Sequence, residues 1–82
     1  MKAHVHIFYK NGVLDPQGRA IAGALGNLGF EGINDVSQGK LIVIDFDATD
    51  PDTARSQVVE MCEKLLANTV IENYAIEMEP EA

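Results

Sequence analysis

The chain has 82 residues, of which 46% are hydrophobic, so it suits one small globular domain and is not expected to be disordered. Six basic and thirteen acidic residues give a net charge of −7, and this charge is uneven: residues 1–44 carry +1 and residues 45–82 carry −8. Because phosphate binding needs clustered cations, neither nucleic acid nor an anionic membrane is expected as a partner. No apolar run approaches the roughly 20 residues of a membrane span. We expect a single domain over residues 1–82, in the cytoplasm.

The first two elements are a strand and a helix. Val5 and Ile7 alternate with two histidines over residues 4–9, which is the period of a β-strand. Asp15 is suited to cap a helix and Pro16 to occupy its first position, so we predict a helix over residues 16–28. The glycines inside it, Gly23 and Gly26, are unfavourable in a helix and indicate close packing against another backbone.

The middle of the chain predicts a hairpin. Ile33 and Val36 mark a short, weak strand, and residues 37–40 have the composition of a turn. Residues 41–47 form the strongest strand signal of the sequence, since they are β-branched and apolar on both faces. We expect these two strands to pair.

A second helix and a last strand complete the pattern. Thr49, Asp50 and Pro51 repeat the signal for a helix start, and apolar residues then recur at helical spacing until about Asn68. Residues 70–78 alternate as a strand, and an acidic tail follows.

The order of elements predicts an α+β, ferredoxin-like βαββαβ fold, with a four-stranded antiparallel sheet and two helices on one face. The other face should then be polar. However, the strand at residues 41–47 has large apolar side chains on both faces, and Phe8, Tyr74, Ile76 and Met78 add to the surplus. We therefore expect the open face to pack against another copy of the chain or another protein.

Few residues suggest chemistry. His4 and His6 share one face of a strand and could bind a metal, but no third ligand is evident, so we expect no metal. Cys62 lies beside acids within a predicted helix and reads as a buried structural thiol. With no catalytic residues expected, the sequence indicates a binding or assembly module.

Two blocks carry a family resemblance. Residues 11–18 read Asn-Gly-Val-Leu-Asp-Pro-Gln-Gly, and residues 61–68 read Met-Cys-Glu-Lys-Leu-Leu-Ala-Asn, followed by Val-Ile-Glu-Asn-Tyr at 70–74. With these blocks the chain resembles the PurS family over residues 2–78. Members of this family form the small subunit of the multi-subunit phosphoribosylformylglycinamidine synthase of de novo purine biosynthesis.

The resemblance implies a non-catalytic subunit of a ligase that forms a C–N bond. Such a subunit bridges a glutaminase (PurQ-like) and a synthetase (PurL-like) subunit and supports ammonia transfer between them. It forms a homodimer, with a tetramer as an open alternative. ATP and Mg are used by the complex, and no cofactor is expected on this chain.

The resemblance also implies partner-binding residues, in the two blocks and at the ends of the helices. These are Asp15, Pro16, Gln17, Gly18, Leu66, Ala67 and Asn68. A purely structural role as a helix start is the alternative for Asp15 and Pro16. The alternative function is a stand-alone ferredoxin-like regulatory domain, which would bind a small ligand's carboxylate at the loop over residues 12–18.

Overall fold

A computed structural model describes residues 1–48 and 50–79 of the protein. Its elements are β1 (Lys2–Tyr9), α1 (Pro16–Asn27), β2 (Lys40–Asp45), α2 (Pro51–Met61), a π-helical turn (Cys62–Leu66) and β3 (Glu72–Glu79). Thr49, which is part of the predicted helix start, and the acidic tail after β3 lie outside the described residues. Within the described ranges, none of the helices has both the length and the apolar character needed to cross a membrane.

The sheet has three strands in the order β2-β1-β3, and both outer strands run antiparallel to β1. Val5 on the central strand lies opposite Ile42 on one side and Ile76 on the other. The predicted four-stranded sheet is therefore wrong, because residues 28–39 form no strand.

Backbone N–H groups in and after the predicted strand at residues 33–36 donate to side chains and not to another strand. The Val36 N–H donates to the carboxylate of Asp35, and the Gln38 N–H donates to that of Asp15. Two glycines in the same segment, Gly29 and Gly32, have φ values of 93° and 81°, which turn the chain away from an extended path. In a β-ladder these N–H groups would instead donate to the carbonyls of a neighbouring strand. Residues 33–36 therefore do not extend the sheet.

The hydrophobic core lies between one face of the sheet and α2. Ala3, Val5 and Ile7 of β1 are buried against the inner face of α2 and the turn that follows it. The buried residues on the helical side are Ala54, Val58 and Cys62.

Helix α2 lies on the β3 side of the sheet. The Arg55 guanidinium donates to the carbonyl of Ile76 (3.2 Å), and the Tyr74 hydroxyl donates to the carboxylate of Glu63 (2.8 Å). Ile42, Ile44 and Phe46, on the β2 side, are only half-buried. Two helices on one face, as predicted, would have covered this side of the core face as well.

Helix α1 does not pack on the sheet, so the prediction of two helices on one face is also wrong. Gly18 is the buried residue of α1, while Ile21 and Leu28 on its apolar stripe are exposed. The radius of gyration is 16.2 Å, whereas a compact chain of this length has about 12 Å. The helix thus extends from the domain.

The open face of the sheet is less apolar than expected. Leu41 and Val43 lie on it and are exposed, as is Phe8. Tyr74, Ile76 and Met78 instead face α2, because each is opposite a buried residue of β1. Two histidines fill the centre of the open face, and the His4 Nε2 lies 2.7 Å from the carboxylate of Glu79.

Candidate functional site

The feature that distinguishes this chain from a compact domain is a helical arm, which we define as residues 16–37. Helix α1 ends at Asn27 with Leu28 as its C-cap, and Gly29 follows in the left-handed conformation. The Gly29 N–H donates to the carbonyl of Gly26, and the Phe30 N–H to that of Leu25. This pair of bonds is a Schellman motif, which turns the chain back toward the start of the helix.

Asp15 holds the two ends of the arm. Its Oδ1 accepts the N–H of Gly18 (2.9 Å), which caps α1 as predicted. Its Oδ2 accepts the N–H of Gln38 (2.8 Å), 23 residues further along the chain. The pKa of Asp15 lies below its ordinary value of 3.8, first because of the Gln38 bond and then because of the Gly18 bond.

Gly18 lets the returning segment approach the helix. A Cβ placed on Gly18 would lie 2.1 Å from the carbonyl oxygen of Val36, so any side chain would force the two segments apart. Beside it, the side-chain amides of Gln17 and Gln38 are hydrogen-bonded. Pro16 is exposed at the first position of α1. In this block, Asp15, Gln17 and Gly18 thus make contacts within the chain.

The second predicted block follows α2. The π-helical turn ends with the Ala67 N–H donating to the carbonyl of Cys62 (3.0 Å). Leu66 is half-buried against the core and Ala67 is buried. Asn68 is exposed, but its N–H donates to the carboxylate of Glu72 (2.7 Å).

Both blocks lie at the same end of the sheet, where β1 ends and β2 and β3 begin. A cavity of about 90 Å³ lies at this end, between the first block and the start of β3. The cavity is lined by Ile7, Phe8, Tyr9, Asp15, Gln17, Gln38, Gly39, Lys40 and Glu72. Across it, the Lys40 ammonium lies 3.8 Å from the Glu72 carboxylate, which is nine-tenths buried. Their role in binding a partner stays a prediction.

Sequence reasoning missed Gln38 and Glu72. Gln38 gave no signal, because it bonds to Asp15 through its backbone N–H and lies in a predicted turn. Glu72 did give one, since it begins the strand face that carries Tyr74 and Ile76. An acid on a buried strand face needs hydrogen-bond partners, and Glu72 finds one in Asn68.

The chemistry at this end of the molecule is that of a scaffold. The carboxylates of Asp15 and Glu72 are engaged with backbone N–H groups of their own chain. Burial, and then the charge of Glu63, raises the pKa of the Cys62 thiol, whereas a nucleophilic thiol needs a lowered one. With an apolar arm lying off the sheet, these features define a small α+β domain of the class found in subunits of larger assemblies.

The comparison with protein families gives this class a name. The model of the family PurS, phosphoribosylformylglycinamidine (FGAM) synthase, matches residues 2–80. The chain belongs to the PurS family.

Individual relatives agree along nearly the whole chain. The phosphoribosylformylglycinamidine synthase subunit PurS of Mycobacterium leprae is 49% identical over 80 residues, covering 98% of each chain. That of Archaeoglobus fulgidus is 47% identical over 76 residues, covering 93% of this chain and 95% of its own.

Solved structures share the architecture. PurS of Methanocaldococcus jannaschii, one of the subunits of formylglycinamide ribonucleotide amidotransferase, matches with a TM-score of 0.90 and 43% identity, over 99% of this chain and 98% of its own. A chain in the structure of PurLQS from Thermotoga maritima matches with a TM-score of 0.83 and 30% identity, over 93% of each chain. The three-stranded sheet with an outlying helix is thus closely matched in these PurS structures.

Proposed function

We propose that this chain is a non-catalytic subunit of phosphoribosylformylglycinamidine synthase, which bridges the glutaminase and synthetase subunits and supports the transfer of ammonia between them. The observation that carries the proposal is the arm, an apolar element that finds no packing surface on its own sheet. The membership of a similar chain in PurLQS of Thermotoga maritima supports it. A bridging subunit acts by holding two active sites in register and by excluding water from the route between them.

The surface area argues that the chain functions as a homodimer. Its accessible surface is 6006 Å², whereas a compact monomer of 8.9 kDa exposes about 4,800 Å². Burying this excess of about 1,200 Å² on each of two chains gives an interface of about 2,400 Å², which lies in the range of obligate homodimers.

The arm and the β2 side of the sheet are the surfaces that we assign to this contact. Leu28 and Phe30, at the tip of the arm, are 74% and 59% exposed. Ile44 and Phe46 are half-buried on the part of the core face that α2 leaves open. The arm of one copy packing on the β2 side of the other would supply the second helix that the core lacks.

The glycines of α1 fit the same contact. Apart from the backbone of α1 itself, no atom of the described residues lies within 4 Å of the position that a Cβ would take on Gly23 or Gly26. The sequence indicated close backbone packing at both positions, and the described part of a single chain does not provide it. A second chain approaching α1 would provide it.

The remaining expectations belong to the same proposal. ATP and Mg act on the larger synthetase subunit and not on this chain. Both assembly and catalysis take place in the cytoplasm. The mass in sedimentation equilibrium distinguishes a dimer from a tetramer.

Two experiments test the proposal. Sedimentation equilibrium across micromolar concentrations should give twice the chain mass of 8.9 kDa or a multiple of that dimer, and a monomer throughout would refute self-association. In a co-purification, the immobilised chain should retain both the glutaminase and the synthetase subunit. Retention of neither subunit, in the presence of glutamine and nucleotide, would refute the bridging role.

The alternative, a regulatory domain that binds a small ligand, is disfavoured by the hydrogen bonding at the start of α1. A ligand's carboxylate would have to accept the N–H groups at the start of α1. The Asp15 carboxylate already accepts the Gly18 N–H there, and its negative charge repels a second anion. The geometry therefore favours the assembly subunit.

A further inference from the structure

We propose that Asp15 is the positioning residue of the arm, holding its two ends together so that α1 is presented to the second chain at a fixed angle. This inference rests on the proposed self-association. It goes beyond a partner-binding role, because Asp15 acts on the partner only through the arm.

The two carboxylate oxygens of Asp15 bond to different ends of the arm. Oδ1 bonds to Gly18 at the outgoing end of the arm, and Oδ2 bonds to Gln38 just past the returning end. One side chain therefore closes a loop that contains the whole arm. The N–H groups stabilise the ionised form of the carboxyl, in which both oxygens can accept.

Asp50 provides a comparison for Asp15, because it begins α2 in the same Asp-Pro context. Asp50 bonds to the N–H of Asp52 and to the N–H and hydroxyl of Thr53, all within the first turn of its own helix. Capping a helix thus explains everything that Asp50 does. It leaves the bond from Asp15 to Gln38 unexplained.

Few side-chain hydrogen bonds of the described residues hold the arm. Among the described residues, the arm is tied to its base by the two Asp15 carboxylate bonds and by the side-chain bond between Gln17 and Gln38. The backbone of Arg19 also donates to the Asp15 carbonyl, but this bond belongs to the helix start. The bond between Gln17 and Gln38 joins two neutral amides, whereas Asp15 bonds to both ends of the arm through a charged carboxylate, so the carboxylate is the main connection.

Asp15→Asn separates the two roles of the side chain. Asparagine is as good a helix cap as aspartate, so its single oxygen can keep the bond to Gly18. Its amide nitrogen is a donor and cannot accept the Gln38 N–H. Asp50→Asn is the matched control, since it makes the same chemical change at a cap with no distant partner.

The experiment is residue-resolved amide hydrogen exchange together with sedimentation equilibrium, on the wild type and both variants. For Asp15→Asn we expect the Gln38 amide to exchange at least tenfold faster and the dimer dissociation constant to rise at least tenfold, with an unchanged circular dichroism spectrum. Asp50→Asn should leave both quantities within twofold of the wild type. Exchange at Gln38 equal to that of the wild type, or faster exchange with unchanged association, would overturn the proposal.

Two further results keep the test decisive. If Asp15→Asn does not fold, the wild type itself is measured: Gln38 is exposed and outside any strand, so slow exchange of its amide supports the bond and exchange at the free-peptide rate overturns it. If the wild type is monomeric at every concentration, the proposed self-association fails. The exchange rates then still decide whether Asp15 holds the arm.

Discussion

Leu28→Ala is the substitution that probes the arm most simply. Leu28 is 74% exposed at the end of α1. Complete burial of a leucine side chain is worth about 1.5–3 kcal/mol, so covering the exposed part contributes about 1–2 kcal/mol for each copy, or about 2–4 kcal/mol for the two copies in a symmetric dimer. We therefore expect the dimer dissociation constant to rise about 30- to 900-fold, while the unfolding temperature of the monomer changes little, because this side chain has few contacts within the chain.

The matched control is Leu65→Ala. Leu65 is 83% exposed in the π-helical turn that follows α2. The same truncation there should leave the dissociation constant unchanged in sedimentation equilibrium. Normal association of Leu28→Ala, with weakened association of Leu65→Ala, would show that the interface lies at the end of α2 and not at the arm.

Three other results are expected. The hydrogen bonds that lower the pKa of Asp15 and Asp50 below 3.8 stabilise the fold above that pH, and this stabilisation is lost as the pH falls through the lower folded values. The thermal unfolding temperature should therefore decline below about pH 4, and it should decline less in the variant with Asn at both positions. Equal declines in the two proteins would contradict this. Cys62→Ser places a hydroxyl in the core and should cost about 1–3 kcal/mol of stability in denaturant unfolding, yet leave self-association intact; a folded variant that fails to associate would refute a purely structural thiol. Glu72→Ala removes the acceptor of the Asn68 N–H and should cost about 1–3 kcal/mol, whereas Glu72→Gln keeps an acceptor and should cost less; the reverse order would contradict the role of that bond.

The helix starts were predictable because they depend on local chemistry. Asp15 and Pro16, and likewise Asp50 and Pro51, begin α1 and α2 as predicted. The cap at Gly29 is local as well, since its N–H bonds to the carbonyl of Gly26. Capping involves residues within one turn of each other, so sequence alone contains the information.

The strand count was not predictable in this way. Ile33 and Val36 have the residue types of a strand, and β-propensity depends on the neighbours that a strand finds. The deciding contacts here are long-range: Gln38 bonds to Asp15, and Val36 approaches Gly18. The alternation around Ile33 could not reveal either of them.

The location of α1 has a related cause. An apolar stripe predicts that a helix will be covered, but it does not specify whether its own chain or another chain covers it. The surplus of apolar residues on the strands was assigned to the open sheet face. In the structure Leu41 and Val43 are exposed there, and the arm carries further exposed apolar residues that we expected to lie on the sheet.

The candidate site was predictable in its residues but not in their contacts. The first predicted block, around Asp15, and the second, around Asn68, lie at one end of the sheet. Their sequence separation concealed this, because the register of β3 on β1 brings them together. Glu72 links the second block to Lys40, and only its position on a buried strand face hinted at such a role.

The most direct test of the bridging role compares two nitrogen sources in the reconstituted enzyme. The rate of phosphoribosylformylglycinamidine formation is measured with glutamine and with ammonia, using the synthetase and glutaminase subunits with and without this chain. The account predicts that omitting the chain abolishes the glutamine-dependent rate and reduces the ammonia-dependent rate much less. A full glutamine-dependent rate in its absence would contradict it.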